Sequence, residues 1–233
     1  MSPRTRDPLG ISARTGQAVV ALLICFFLAW DTRAVATDQA PLPTDSTLEP
    51  ASNLHTWLRP EDGKVDLLPL AAWFAHEKKG PLTALVALIG GVLVGDPLVG
   101  ARLPGVLTHG TTLTLVGTMA ARLAGGWSAG VLAVALAGVT PGSFAWHRMD
   151  VHDAVLSAPL LGILWLLVWP PRRARGAVML GALVGLAMLL KVGVALFLVA
   201  PGAVYILERA NRPGGRRGLL LTAMAAALIL LPW

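Results

Sequence analysis

Charge is what this 233-residue chain has least of. Only 14% of its residues are charged, against about a quarter in ordinary globular domains. Just over half are apolar, at 55%, which argues against a soluble protein. Cysteine is nearly absent: Cys25 is the single one and lies inside the first apolar run, so no disulfide can form within the chain. Also missing are a Gly-rich phosphate loop, a nucleophile elbow and a Cys/His metal pattern. The net charge is +6, and basic clusters attract phosphate. Those clusters are short and sit between long apolar runs. No continuous basic stripe and no recognition motif accompanies them, so nucleic acid is excluded as a partner.

Long apolar runs are what the chain does have. A helix crossing about 30 Å of hydrocarbon needs roughly 20 mostly apolar residues, and it satisfies its own backbone hydrogen bonds. Seven runs come close: Thr15–Trp30, Ala101–Ala121, Trp127–Ala145, Ala154–Pro170, Ala177–Leu190, Val192–Leu207 and Gly218–Trp233. An eighth, Pro81–Gly95, has 15 residues and is rich in glycine. That length suits a re-entrant or interfacial helix. Asp66–Ala75 carries apolar residues on one face and Trp73 where a headgroup boundary would fall, which suits a surface helix and equally an ordinary loop helix packed on its neighbours. The expected fold is therefore all-α: a polytopic transmembrane bundle of about seven spans, with interfacial or re-entrant helices in the first outer loop. Its parts are a cytoplasmic N-terminus (1–16), a first transmembrane helix (17–30), an outer loop (31–100) and a helical bundle (101–233). The last run stops at Leu231-Pro232-Trp233 without a polar tail, so a fragment is expected.

Orientation follows from the charges. With seven spans and a cytoplasmic N-terminus, the inner segments hold eleven basic residues, from Arg4 to Arg217, against two acidic ones, Asp7 and Glu208. The outer segment 31–79 holds five basic and eight acidic residues. The positive-inside rule predicts this asymmetry and puts the N-terminus on the cytoplasmic side; the expected location is the cytoplasmic (inner) membrane. A cleavable signal peptide is the rival for the N-terminus, given basic residues, a 13-residue apolar core and Ala34-Val35-Ala36. Asp31 and Arg33 interrupt that pattern.

Ionisable residues near a membrane are functional candidates. Arg148, Asp150 and Asp153, with His147 and His152, surface at the outer end of the third span. Their spacing is not a zinc pattern, and a loop of solvated charges explains them equally well. Lys191 stands alone where the fifth span emerges outside. It can pair with a phosphate, or snorkel to water with no further role. Lys78 and Lys79 could hold an anionic headgroup. Gly181 and Gly185 have the spacing of close helix packing.

Three stretches give these features an order that resembles the GT-C class of membrane glycosyltransferases, in the branch of protein O-mannosyltransferases and lipid A aminoarabinose transferases. Lys79-Gly80-Pro81-Leu82, continuing through Gly95-Asp96 to Arg102-Leu103-Pro104, is similar to that family's Lys-Pro-Pro-Leu motif, apolar helix, Gly-Asp and Arg-Leu-Pro. Thr140-Pro141-Gly142-Ser143, continuing to Arg148 and Asp153, resembles its Ser-Pro-Gly stretch ending in Arg and Asp. Gly185-Leu186-Ala187 to Lys191-Val192-Gly193 resembles its Gly-Leu-Ala…Lys-Gly stretch.

The resemblance implies a polyprenyl-phosphate-linked sugar as donor, a lipid or protein acceptor, and membrane lipids around the chain. It implies a catalytic base in the first outer loop, normally in an Asp-Glu pair. Asp45, followed by Ser46, sits nearest that place; Asp31, followed by Thr32, is the alternative. Asp153 would be the second acidic site residue. Lys79 and Lys191, with Arg148 and Arg102 from the quoted motifs, would meet the donor phosphate. Whether a divalent metal is needed is left open. A transporter or channel subunit is the competing class. Transporters place charges near the bilayer midplane, whereas here they gather at one face. An inactive, truncated remnant of a transferase is a third reading.

Overall fold

The computed structural model describes Asp7 and residues 9–37, 97–141, 152–169, 174–191, 193–210 and 214–231, with isolated positions between 82 and 95. These residues form helices and no strand. The seven helices are α1 (Ala13–Ala36), α2 (Pro97–Ala124), α3 (Trp127–Val139), α4 (His152–Val168), α5 (Ala174–Leu190), α6 (Val194–Ala210) and α7 (Gly215–Leu230). Each of the seven apolar runs contains one of these helices. Among the described residues, only the 24-residue α1 combines the length and apolar composition needed to cross a membrane. The expected interfacial helix at 66–75 lies outside the described residues, as does most of 81–95.

The chain divides into two compact units: residues 1–51 with 87–158, and residues 52–86 with 159–233. Helices α1, α2 and α3 build the first. Glycines set their spacing, because small residues let backbones approach closely. A side chain at Gly130 would press on the Gly117 carbonyl of α2 at 2.7 Å, and one at Gly117 would meet Val134 at 2.6 Å. Gly16 lies against Trp127 and Gly138 against Phe27. These pairs run α1 and α3 in the same direction, with α2 opposed. Val20, Phe27, Leu113 and Val134 fill the centre.

Local sequence explains the helix ends. Ser12 caps α1, its Oγ accepting from the Thr15 N–H at 3.1 Å. Between α2 and α3 stand only Gly125 and Gly126, and Gly125 takes φ 76°, a left-handed conformation that glycine adopts without strain. Gly126 has no side chain to cap α3, and Asp7 supplies the missing acceptor from far away in sequence. Its Oδ2 accepts from the Ser128 N–H at 2.9 Å, and its Oδ1 from the Leu9 N–H at 3.0 Å. A carboxylate is favoured there because helix N-termini carry unsatisfied donors.

Helix α2 is rich in threonine yet leaves little polarity exposed. Thr108, Thr111, Thr114 and Thr118 each donate to the carbonyl four residues back, so the helix absorbs its own hydroxyls. Pro104, inside α2, has no N–H to offer the Gly100 carbonyl. That freed carbonyl is where a side chain at Gly90 would collide. Thr112 and Ser157 join α2 to α4 through a 2.8 Å hydroxyl contact.

In the second unit α5 and α7 run parallel in close contact. Gly181 lies against the Thr222 carbonyl and Gly185 against Ala226 and Ile229, while Thr222 Oγ1 donates to Ala177 O at 3.1 Å. The Gly181/Gly185 pair is thus a packing face. Elsewhere the helices expose large apolar side chains: Leu22, Phe26 and Trp30 on α1, Leu132 and Leu136 on α3, Leu196 and Phe197 on α6, and Leu220 and Leu228 on α7. Their outward faces are more apolar than water favours.

Two outcomes follow. Gly181→Leu should lower the thermal stability of the detergent-solubilised chain by about 1–3 kcal/mol, because backbone occupies the space the side chain needs. Gly193→Ala, where a Cβ meets nothing within 4 Å, should be far milder. The second concerns acid. The Ser128 N–H, aided by that of Leu9, holds the Asp7 carboxyl below its ordinary 3.8, outweighing a smaller desolvation effect. Asp7 therefore adds stability above the ordinary carboxyl range and loses it as pH falls through its folded-state value. In acid titrations of stability, the gap between the native chain and Asp7→Asn should narrow as pH drops.

Candidate functional site

Apolar helices tolerate few ionisable side chains, because a buried charge or polar group must find a partner. Three occur together at one end of the first unit. Asp31, about five turns into α1, and Arg102 and His109, in the first half of α2, are all fully buried, each with 0% exposure. His109 Nδ1 lies 2.6 Å from Asp31 Oδ2. An ionised carboxylate can only accept, so with Asp31 ionised the hydrogen of this bond sits on Nδ1. The bond ties α1 to α2 across 78 residues of sequence.

Helix geometry puts Arg102 on the same side. Seven residues are nearly two turns, so Arg102 and His109 share a face of α2 about 10 Å apart along its axis. Val99 and Val106 lie on that face too and pack beside Val35 of α1. The last turns of α1 thus cover the stretch of α2 that carries Arg102 and His109. At the other end of these helices stand Asp7, Arg14 and Arg122. The buried ionisable groups and the N-terminal cap occupy opposite ends of the unit.

The expected site residues fare differently. Asp31 and Arg102 belong to one buried region, with Asp31 engaged by His109. Asp153 lies in the first turn of α4, and its side chain is outside the described residues. Asp45, Lys79 and Arg148 also lie outside them. Lys191 closes α5 in the second unit, half-buried, its N–H donating to the Ala187 carbonyl at 3.0 Å. Among the described residues, no three His, Cys, Asp or Glu side chains are grouped to hold a metal ion.

His109 is the residue that sequence reasoning passed over. Its signal was present: a lone histidine in the apolar run Gly105–Gly110, seven places after an arginine. Ionisable residues in such a run mark a site or an interhelical tie.

The pair should be energetically coupled. Asp31→Leu and His109→Leu should each cost about 1–3 kcal/mol in stability, the penalty of leaving a buried polar partner unsatisfied. The double variant should lose less than the sum. A double-mutant cycle on melting curves reads this directly, and strict additivity would show that the contact contributes nothing.

A family model described as dolichyl-phosphate-mannose-protein mannosyltransferase matches residues 78–233. No curated protein and no solved structure gives a match. The match takes in α2 to α7, with Arg102 and His109, and begins after α1 and Asp31. Since it covers more than half of the sequence, the chain belongs to this family, a GT-C-like group with glycosyltransferase-type function.

Proposed function

We propose that this member of the mannosyltransferase family moves a sugar from a polyprenyl-phosphate donor to a hydroxyl of a lipid or protein acceptor, at the outer face of the cytoplasmic membrane. The observation that carries this reading is the family match across residues 78–233, a stretch that holds the three motifs around Lys79, Asp153 and Lys191. Support for the membrane setting comes from the seven apolar helices and their exposed leucine, valine and phenylalanine side chains. Such faces suit lipid and are costly in water.

In this reading all seven helices cross the bilayer, with the N-terminus inside. Asp7, Arg14, Arg122 and the 209–217 cluster then fall on the cytoplasmic side, as the basic excess asks. The buried Asp31, Arg102 and His109 group falls near the outer side, next to the long segment 31–100. The order of elements in the first unit supports the assignment: α1 and α3 run one way and α2 the other.

The chemistry is a displacement at the anomeric carbon. The acceptor oxygen attacks, a carboxylate takes its proton, and the lipid phosphate departs with the electrons of the broken C–O bond. We assign the base to Asp45. Asp31 is the alternative by position, but it is fully buried and its carboxylate is engaged by His109, which fits a fixed support for the site better than a base that must reach substrate. Arg102, equally buried, suits the same supporting role. Lys79, Lys191 and Arg148 are the cations left to hold the phosphate, whose negative charge grows as the bond breaks. Preorganised cations stabilise such charge strongly. Asp153 is assigned to orient the acceptor.

Transfer from a radiolabelled polyprenyl-phosphate sugar, assayed in membranes with the full-length protein, tests the assignment. Asp45→Asn should lower the rate by about 10²–10⁴-fold, the range of general-base catalysis, without changing membrane insertion. Unchanged transfer would remove Asp45 from the site.

A further inference from the structure

The helices of the second unit leave between them an apolar cavity, open on one side, for which the transfer chemistry proposed above has no role. Its volume is about 410 Å³, within the roughly 300–1,000 Å³ typical of small-molecule sites. Leu167 of α4, Leu180 of α5, Leu198 and Gly202 of α6 and Ala223 of α7 line it, together with Tyr205. Nearly all of the wall is hydrocarbon. Tyr205 is the exception: it is 7% exposed, and its hydroxyl is buried without a hydrogen-bond partner. A buried phenol hydroxyl usually finds one. An unmet donor in an apolar chamber calls for a ligand with a long hydrocarbon part and one acceptor oxygen.

Position narrows the choice. Tyr205 stands one turn before the end of α6, and the Arg209 guanidinium lies over its ring, 5.6 Å from the centroid, within cation–π range. Arg216 and Arg217, both exposed, open α7 at the end from which the cavity-lining Leu219, Thr222 and Ala223 follow. Acceptor-seeking hydroxyl and cations therefore share one end of the cavity. In the orientation proposed above, that end faces the cytoplasm, away from the outer face where sugar transfer is placed. Anionic lipids concentrate in that leaflet and attract such basic clusters.

We infer that this cavity binds one acyl chain of an anionic phospholipid from the cytoplasmic leaflet, with its ester oxygen accepting from Tyr205 and its headgroup near Arg209. The site is distinct from the donor site. It rests on the membrane embedding of the proposed function, but not on the transfer reaction. Gly202 gives a clean means of closing it, because a side chain there meets nothing within 4 Å and would grow into the cavity.

The test uses the full chain reconstituted in phosphatidylcholine vesicles doped with phosphatidylglycerol that carries a photoreactive acyl chain. Illumination and peptide mapping should place label on cavity-lining residues of α5, α6 and α7. Gly202→Leu should abolish that labelling while the protein still floats with the vesicles and melts as before. Tyr205→Phe should weaken it by about two- to tenfold, the worth of one hydrogen bond. Label spread evenly over all apolar helices, or unaffected by Gly202→Leu, would overturn the inference. Displacement of the label by polyprenyl phosphate would also overturn it, by assigning the cavity to the donor's tail. A protein that fails to float with vesicles would instead refute the membrane embedding itself.

Discussion

Close backbone approach between helices is the constraint on which both units depend. In the first, Gly117 and Gly130 bring α2 and α3 together, Gly16 of α1 admits Trp127 of α3, and Gly138 of α3 admits Phe27 of α1. In the second, Gly181 and Gly185 do the same for α5 and α7. Apolar burial alone could not specify these pairings, because the outer faces are as apolar as many of the inner ones. Where the surroundings are apolar too, leucine is indifferent to which side it faces. Shape then decides the partner, and glycine provides the shape.

The few polar groups complete what shape begins. Asp31 and His109 fix α1 against α2 by a directional bond, which settles register as a leucine contact cannot. Asp7 does similar service at the opposite end, capping a helix more than a hundred residues away in sequence because glycine occupies the cap position itself. Four threonine hydroxyls of α2 turn back on their own helix, so they carry polarity without asking for a neighbour, while Thr112 reaches Ser157 of α4. These groups, among the described residues, are either spent locally or used to join two elements.

How much of this was legible in the sequence varies by level. The helices were: each of the seven apolar runs contains one, and boundaries such as Trp127 and Leu190 coincide. Apolar length is a local property, and local properties survive without tertiary knowledge. The family was legible too, through the ordered stretches from Lys79 to Gly193. The pairing of Asp31 with His109 was not. Histidine has no spacing signature with an aspartate 78 residues away, and Asp31 looked like a loop residue because the apolar run ended at Trp30. In the structure α1 continues to Ala36, which carries Asp31 inside the helix and turns it toward α2. The cap by Asp7 was hidden for the same reason: it is visible only once the turn at Gly125–Gly126 has brought the start of α3 beside the N-terminus.

The proline of the Arg-Leu-Pro stretch carries a consequence for how such a chain can vary. Pro104 strips a hydrogen from the ladder of α2, and the Gly100 oxygen, deprived of that donor, faces the backbone at Gly90. Restoring an ordinary residue at 104 would draw that oxygen back into the ladder, while adding even a methyl at 90 would push it away. The two positions meet at one carbonyl oxygen, so a change at either alters the space left at the other.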